Sequence, residues 1–252
     1  MTIVLALKYK GGLLLASDSQ ATAGTQGQPS KGDAQKLFVL GETVGWAGSG
    51  ATGLIHRVRD ELEREAEAIC GALRKRPAQV GSERIFAIVN RHQHQAAKEH
   101  VPSGGGPAEV VAALFVGYDG RAVPFIFEIS AGGQRGFHEH YDSIGSADIF
   151  AWHAIRSVEN YYNLPDLNRD LAMALAYRTI DNAIRTAAFG IGPPIQLLEV
   201  TPEGAHCLDE TEVKAVADIV DLWRAKEVAT LATLLQPEAP AASPAEPPTE
   251  VT

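Results

Sequence analysis

Strand-like apolar runs occupy positions 2–9 (TIVLALKY) and 13–17 (LLLAS), with KGG between them, a pattern that predicts a β-hairpin. The stretch that follows, DSQATAGTQGQPSKGDAQ, is rich in Gly, Ser, Thr and Gln and reads as a long polar loop. KLFVL (36–40) and TVGWAG (43–48), split by Gly41-Glu42, predict two further strands. From Leu54 to Leu73 apolar residues recur near the helical period, at Leu54, Val58, Leu62, Ala66, Ile69 and Leu73. A second helix is predicted from Ser82 to about Lys98, with Ile85, Ile88 and Val89 turned inward.

The alternation then repeats. EVVAALFVGY (109–118), AVPFIFEIS (122–130) and RGFHEHYD (135–142) read as strands separated by DG and AGG turns. Two helices are expected, over about 147–160 and 168–188, then strands at 194–200 and 205–209 and a last helix from Glu210 to about Leu235. Hairpin-joined strands imply antiparallel sheets, and helix pairs between them imply a four-layer αββα sandwich. Residues 1–236 are expected to form one domain. The segment QPEAPAASPAEPPTEVT holds five prolines in seventeen residues, so 237–252 is expected to be a disordered tail.

With 252 residues, 45% hydrophobic and 21% charged, the chain can bury a sizeable core. A net charge of −9 argues against nucleic acid or an anionic membrane as partner. Cys70 and Cys207 are the only cysteines, which excludes a disulfide framework and fits a reducing compartment. No apolar run is long enough for a transmembrane helix, and Lys8, Lys10 and the Gly-Gly turn interrupt anything like a signal sequence. A cytoplasmic protein is expected.

Candidate chemistry concentrates near the start. Removal of Met1 would leave Thr2 with a free α-amine beside its own hydroxyl. A hydroxyl needs a base to become a nucleophile, and an α-amine with a pKa of about 7.7–8.0 can act as that base. A nearby ammonium would keep the amine unprotonated by like-charge repulsion, and a carboxylate would hold that ammonium in place. Asp18, ending the second predicted strand, and Lys36, opening the third, supply both groups. The AGSG turn (47–50) lies between a strand and a helix, where backbone N–H groups are free to stabilise an oxyanion.

These pieces together, TIVLALKYKGGLLLASDSQATAG…GDAQKLFVLGETVGWAGSG, resemble the N-terminal third of proteasome β-type subunits, along with the bacterial peptidase subunit HslV and the Anbu-type homologues. The likeness runs more weakly through SIGSADIFAWHA (143–154) and IQLLEV, to about residue 220. The resemblance implies the αββα fold of N-terminal-nucleophile hydrolases and a self-compartmentalising threonine-type endopeptidase. It implies Thr2 as nucleophile and base, Asp18 and Lys36 as charge partners, the Gly48 N–H as oxyanion donor and Ser146 as supporting serine. Thr22 and Gly50 fall where an extended peptide pairs with the backbone, and Trp46 at the floor of the pocket for the residue before the cut. A Trp there would favour small or medium side chains. No cofactor is implied. The expected partners are peptide or unfolded protein substrates, like subunits in a homo-oligomeric ring, and an α-ring or ATPase. One departure stands out: where many β subunits read RDSASGG, this chain reads RTAAFGIGPPIQL, placing Thr186 and Phe189 at the Asp and Ser positions. HslV-type proteins also lack that Asp.

Two other readings stay open, a non-catalytic ring subunit and an amidohydrolase of a small amide. Elsewhere, HEH (138–140) would put two imidazoles on one strand face, but no further ligand is evident and no metal site is expected. The Gly-rich SGGGP (103–107) lacks the Lys-Ser/Thr of a phosphate loop.

Overall fold

A computed structural model describes residues 2–23, 30–100, 110–186 and 190–235. Met1, the 103–107 loop, Phe189 and the expected tail over 237–252 lie outside the described residues. The chain divides into two compact units, Met1–Val220 and Asp221–Thr252, with the boundary inside the last helix.

The strands follow the apolar runs. β1 (Val4–Tyr9) and β2 (Gly12–Asp18) form the expected hairpin. A short hairpin, β3 (Gln20–Ala23) and β4 (Ser30–Asp33), lies within the stretch read as loop. Its polar, glycine-rich residues carry no strand signal, and the two strands pair through the main chain in the register Gln20↔Asp33 to Ala23↔Ser30. Next come β5 (Leu37–Leu40), β6 (Val44–Gly50), β7 (Val111–Tyr118), β8 (Pro124–Ile129) and β9 (Arg135–His138). They form one antiparallel sheet in sequence order. The other sheet has the order β10-β1-β2-β11-β12, where β10 is Tyr141–Ile144, β11 Ile195–Thr201 and β12 Gly204–Cys207.

The single strand expected over 135–142 is therefore two strands in different sheets. The chain leaves β9 after His138 and re-enters at Tyr141, pairing with β1 in the register Val4↔Ile144 to Leu7↔Tyr141. Local alternation cannot reveal which sheet a strand joins. The helix expected over 54–73 is also divided, by Glu65 at φ −102° and ψ 3°, into α1 (Thr52–Arg64) and α2 (Ala66–Leu73). With α3 (Ala78–Gly81) and α4 (Glu83–His100), these helices cover the outer face of the β5–β9 sheet. α5 (Asp148–Glu159) and α6 (Arg169–Thr186) cover the outer face of the other, and α7 (Glu210–Leu234) ends the described chain. The αββα layering is as expected.

The sheets meet through alternate residues of each strand: Val4, Ala6, Leu13 and Leu15 face Leu37, Ala47, Leu114 and Val116. Gly45 sets how close they come, because a Cβ there would lie 2.4 Å from Leu198 Cδ2 and 3.0 Å from Val200 Cγ2. A polar knot around the buried Glu199 carboxylate fastens α6 to the sheet beneath it. Arg169 donates from Nε to Glu199 Oε1 and from Nη2 to Oε2, both at 2.8 Å, and the Tyr9 hydroxyl donates to the same carboxylate. Burial pulls the Glu199 pKa upward, but the Arg169 and Tyr9 hydrogen bonds outweigh it and hold the group below its ordinary value.

A depressed folded-state pKa means that this stabilisation is complete above the unfolded value near 4.5 and is lost as pH falls below it. Glu199→Gln is expected to cost about 1.5–3 kcal/mol at neutral pH and to flatten the acid limb of stability. Urea unfolding of both proteins from neutral to acid pH measures this. Parallel acid limbs would show that Glu199 is not the group responsible.

Candidate active site

The residues singled out near the N-terminus converge because Asp18 stands at the end of β2, beside the entry to β1. Its carboxylate is fully buried and accepts four hydrogen bonds. Oδ1 takes the Lys36 ammonium at 2.7 Å and the Ile3 N–H at 3.1 Å. Oδ2 takes the N–H groups of Gln20 at 3.1 Å and Gly192 at 3.2 Å. One carboxylate thus ties together the starts of β1 and β3, the loop before β11 and the side chain ahead of β5. Burial lowers the Lys36 pKa, and the charge and hydrogen bond of Asp18 oppose that shift.

Gln196 completes the clamp on Lys36. Its Oε1 accepts from the Lys36 N–H at 3.0 Å and its Nε2 donates to the Ala34 carbonyl at 2.7 Å. Nothing in the strand-like IQLLEV marks this glutamine out, because its role depends on a contact 160 residues away.

Thr2 is held by its main chain. Its N–H donates to Ser146 Oγ at 3.3 Å, and its carbonyl accepts from the Ala147 N–H at 3.2 Å. The Gly145–Ala147 turn can close around Thr2 because Gly145 has φ 114° and no side chain: a Cβ would lie 2.1 Å from the Thr2 carbonyl oxygen. The crossing from β9 to β10 is what delivers this turn to the N-terminal strand.

Thr2, Lys36, Gly48, Gly50 and Ser146 all line one cavity of about 730 Å³. The last β5–β6 pair is Leu37↔Ala47, whereas pairing with β7 continues to Gly50↔Val111. The β5-facing edge of β6 is therefore unpaired by that neighbour over residues 48–50. Thr22 lies on β3, opposite Lys31.

Trp46 is not at the floor of this cavity. It is 1% exposed, with its ring between Phe38 at 4.8 Å and Phe115 at 5.7 Å, centroid to centroid. Trp46 and Phe38 are cross-strand partners on the helix-covered face, so Phe38 intervenes. Phe38 and Ile55 line the cavity in its place. Thr186 does not reach the cavity either: it ends α6, and its hydroxyl donates to the Asn182 carbonyl at 2.7 Å. Glu128, absent from the candidates read in the sequence, is part of the wall.

A family model described as proteasome subunit matches residues 2–193. The chain is similar to the proteasome subunit beta of Rhodococcus opacus, 28% identical over 237 residues that cover 87% of this chain and 74% of the relative. It is also similar to that of Frankia alni, 28% identical over 235 residues covering 87% and 77%. The proteasome subunit beta of Streptosporangium roseum is 26% identical over 233 residues, covering 84% and 73%. Among the described residues, no helix is long and apolar enough to cross a membrane.

Removing the Asp18 charge would strand a buried ammonium and loosen three backbone donors. Asp18→Asn is expected to cost about 3–5 kcal/mol. Asp18→Asn with Lys36→Met should recover part of that loss, because no unpaired charge remains. Chemical denaturation of the wild type, both single variants and the double variant gives the coupling. Strict additivity would mean the pair contributes nothing to the fold.

Proposed function

Because this chain belongs to the proteasome subunit family, we propose that the cavity around Thr2 is the active site of a threonine-type endopeptidase. The observation that carries the proposal is the meeting, in one cavity, of the Thr2 nitrogen bonded to Ser146 and a buried ammonium held by Asp18. Once the bond before Thr2 is cut, its nitrogen changes from an amide into an amine able to accept a proton. The Thr2 hydroxyl then attacks the scissile carbonyl while the amine, directly or through a water, takes the hydroxyl proton. The charge on the carbonyl oxygen settles against the Gly48 N–H. Collapse of the tetrahedral adduct expels the new amine terminus of the substrate, which takes up the proton. A water activated by the same amine then hydrolyses the acyl ester and frees Thr2.

In this scheme Lys36 disfavours the protonated amine by like-charge repulsion, which keeps Thr2's base available. Asp18 fixes the lysine, and the Ser146 hydroxyl keeps the amine beside the reaction. The substrate lies extended, pairing with the free edge of β6 over residues 48–50 and with β3 near Thr22. With Phe38 in front of Trp46, the specificity pocket is closed off by aromatic rings and suits small or medium apolar side chains. The subunit works in a ring of like subunits, as the family implies, on peptides or unfolded protein, with access set by an α-ring or ATPase in the cytoplasm.

Intact mass before and after a threonine-directed β-lactone tests the nucleophile. The expected results are a chain starting at Thr2, one adduct per chain, and at least a thousandfold loss of peptidase activity in Thr2→Ala. A Met1-retaining chain with no adduct would instead indicate a non-catalytic ring subunit. A monomer in native mass spectrometry would favour a small-amide hydrolase. On a fluorogenic peptide panel, cleavage after small and medium apolar residues is expected, and preference for large aromatics would overturn the pocket assignment.

A further inference from the structure

Two carboxylates stand on the inner faces of the sheets, one on β8 and one on β10. Glu128 follows Ile126 on the same face of β8, and Asp142 precedes Ile144 on the same face of β10; both isoleucines belong to the core between the sheets. Two carboxylates, one from each sheet, therefore face each other at the edge of the sandwich, Asp142 buried and Glu128 also lining the Thr2 cavity. His138, paired with Ile126, reaches in between them from β9. Its Nε2 lies 3.2 Å from Asp142 Oδ2 and 3.4 Å from Glu128 Oε2, and the three donor atoms all lie within 4.8 Å of one another.

These contacts do not satisfy the groups they join. His138 Nε2 and Asp142 Oδ2 are buried and neither makes a hydrogen bond, although the Asp142 side chain is only 4% exposed. The space before the imidazole is kept open by Gly136, where a Cβ would sit 3.0 Å from His138 Nε2 and 3.6 Å from Glu128 Oε2.

We propose that Glu128, His138 and Asp142 form a divalent metal site, of the zinc class, that staples the two sheets at the β9–β10 crossing. Tetrahedral zinc with bonds of about 2.0–2.1 Å has ligand edges of about 3.3–3.4 Å, close to the 3.2 and 3.4 Å that separate the imidazole nitrogen from the two carboxylates. One nitrogen and two carboxylate oxygens suit zinc better than calcium, which takes six to eight oxygens at longer range. The ion neutralises two facing carboxylates that otherwise share the one imidazole of His138. It also braces β10, whose end leads directly into the Gly145–Ala147 turn around Thr2. The second histidine of the HEH motif takes no part: His140 lies beyond β9 and its carbonyl accepts from the Lys8 N–H at 2.8 Å.

The test uses the full chain stripped with EDTA and Zn²⁺ alone as ligand, and it does not depend on peptidase activity because Thr2→Ala serves equally well. Calorimetry should show one equivalent bound per chain, and the melting temperature should rise by about 5–10 °C at a hundredfold excess over Kd. Co²⁺ in place of zinc should give tetrahedral visible bands without a thiolate charge-transfer band, which excludes a surface site at Cys207. His138→Gln and Asp142→Asn should abolish binding, while their melting in EDTA reports separately whether they fold. Absence of binding to folded wild type, or unchanged binding by folded variants, would leave a protonated His138 as the only cation between the carboxylates and overturn the proposal.

Discussion

The buried Asp18 carboxylate is the interaction on which the rest of the N-terminal architecture depends. It receives one ammonium and three backbone N–H groups from parts of the chain far apart in sequence. A charge taken fully out of water is tolerable only if nearly every lone pair is met, and here both oxygens have two donors. The arrangement is therefore close to all-or-none. If β1, β3, Lys36 or the loop at Gly192 is misplaced, the carboxylate is left short and the cost falls on the whole assembly. The same requirement that stabilises the fold places Lys36 in the cavity that Thr2 also lines.

A second constraint comes from how closely backbone approaches backbone. Gly45 lets the β11 side chains reach the neighbouring sheet, and Gly145 lets a turn close over the Thr2 carbonyl. In both places a single methyl group would push the layers or the turn apart. The cavity is a consequence of these contacts: it opens where β5 stops pairing and β6 continues, between the Gly145 turn and the Lys36 clamp. The two facing carboxylates on the sheet interiors belong to the same region, since the crossing they brace is the one that carries Gly145 to Thr2.

The layered fold was legible because its signals are local. Alternation along β1, β2, β7 and β8 and the 3.6-residue stripe from Leu54 reflect burial of one face, which any chain of this composition must arrange. Thr2, Asp18, Lys36 and the AGSG turn could be proposed from residue chemistry, whereas the roles of Gly48 and Ser146 came only from the resemblance to proteasome β-type subunits. What failed to show locally was partner choice. The polar 20–33 segment forms a hairpin through main-chain bonds that its side chains do not announce. Trp46 shares a face with Phe38, so one ring had to cover the other, and only packing determined which ring met the cavity.

By itself the sequence determined the alternation of sheet and helix layers and their apolar faces, because these follow from periodicity, while side-chain type named only candidates for chemistry. Tertiary structure decided what those groups meet. It divided 135–142 between two sheets, because strand pairing is a choice among distant edges. It brought Gln196 to Lys36, and Glu128 to His138 and Asp142, through contacts that no local window contains. It also turned Thr186 back onto its own helix, where its hydroxyl finds a carbonyl at 2.7 Å. Residue type sets what a group can do, and the long-range pairing of strands sets whether it is placed to do it.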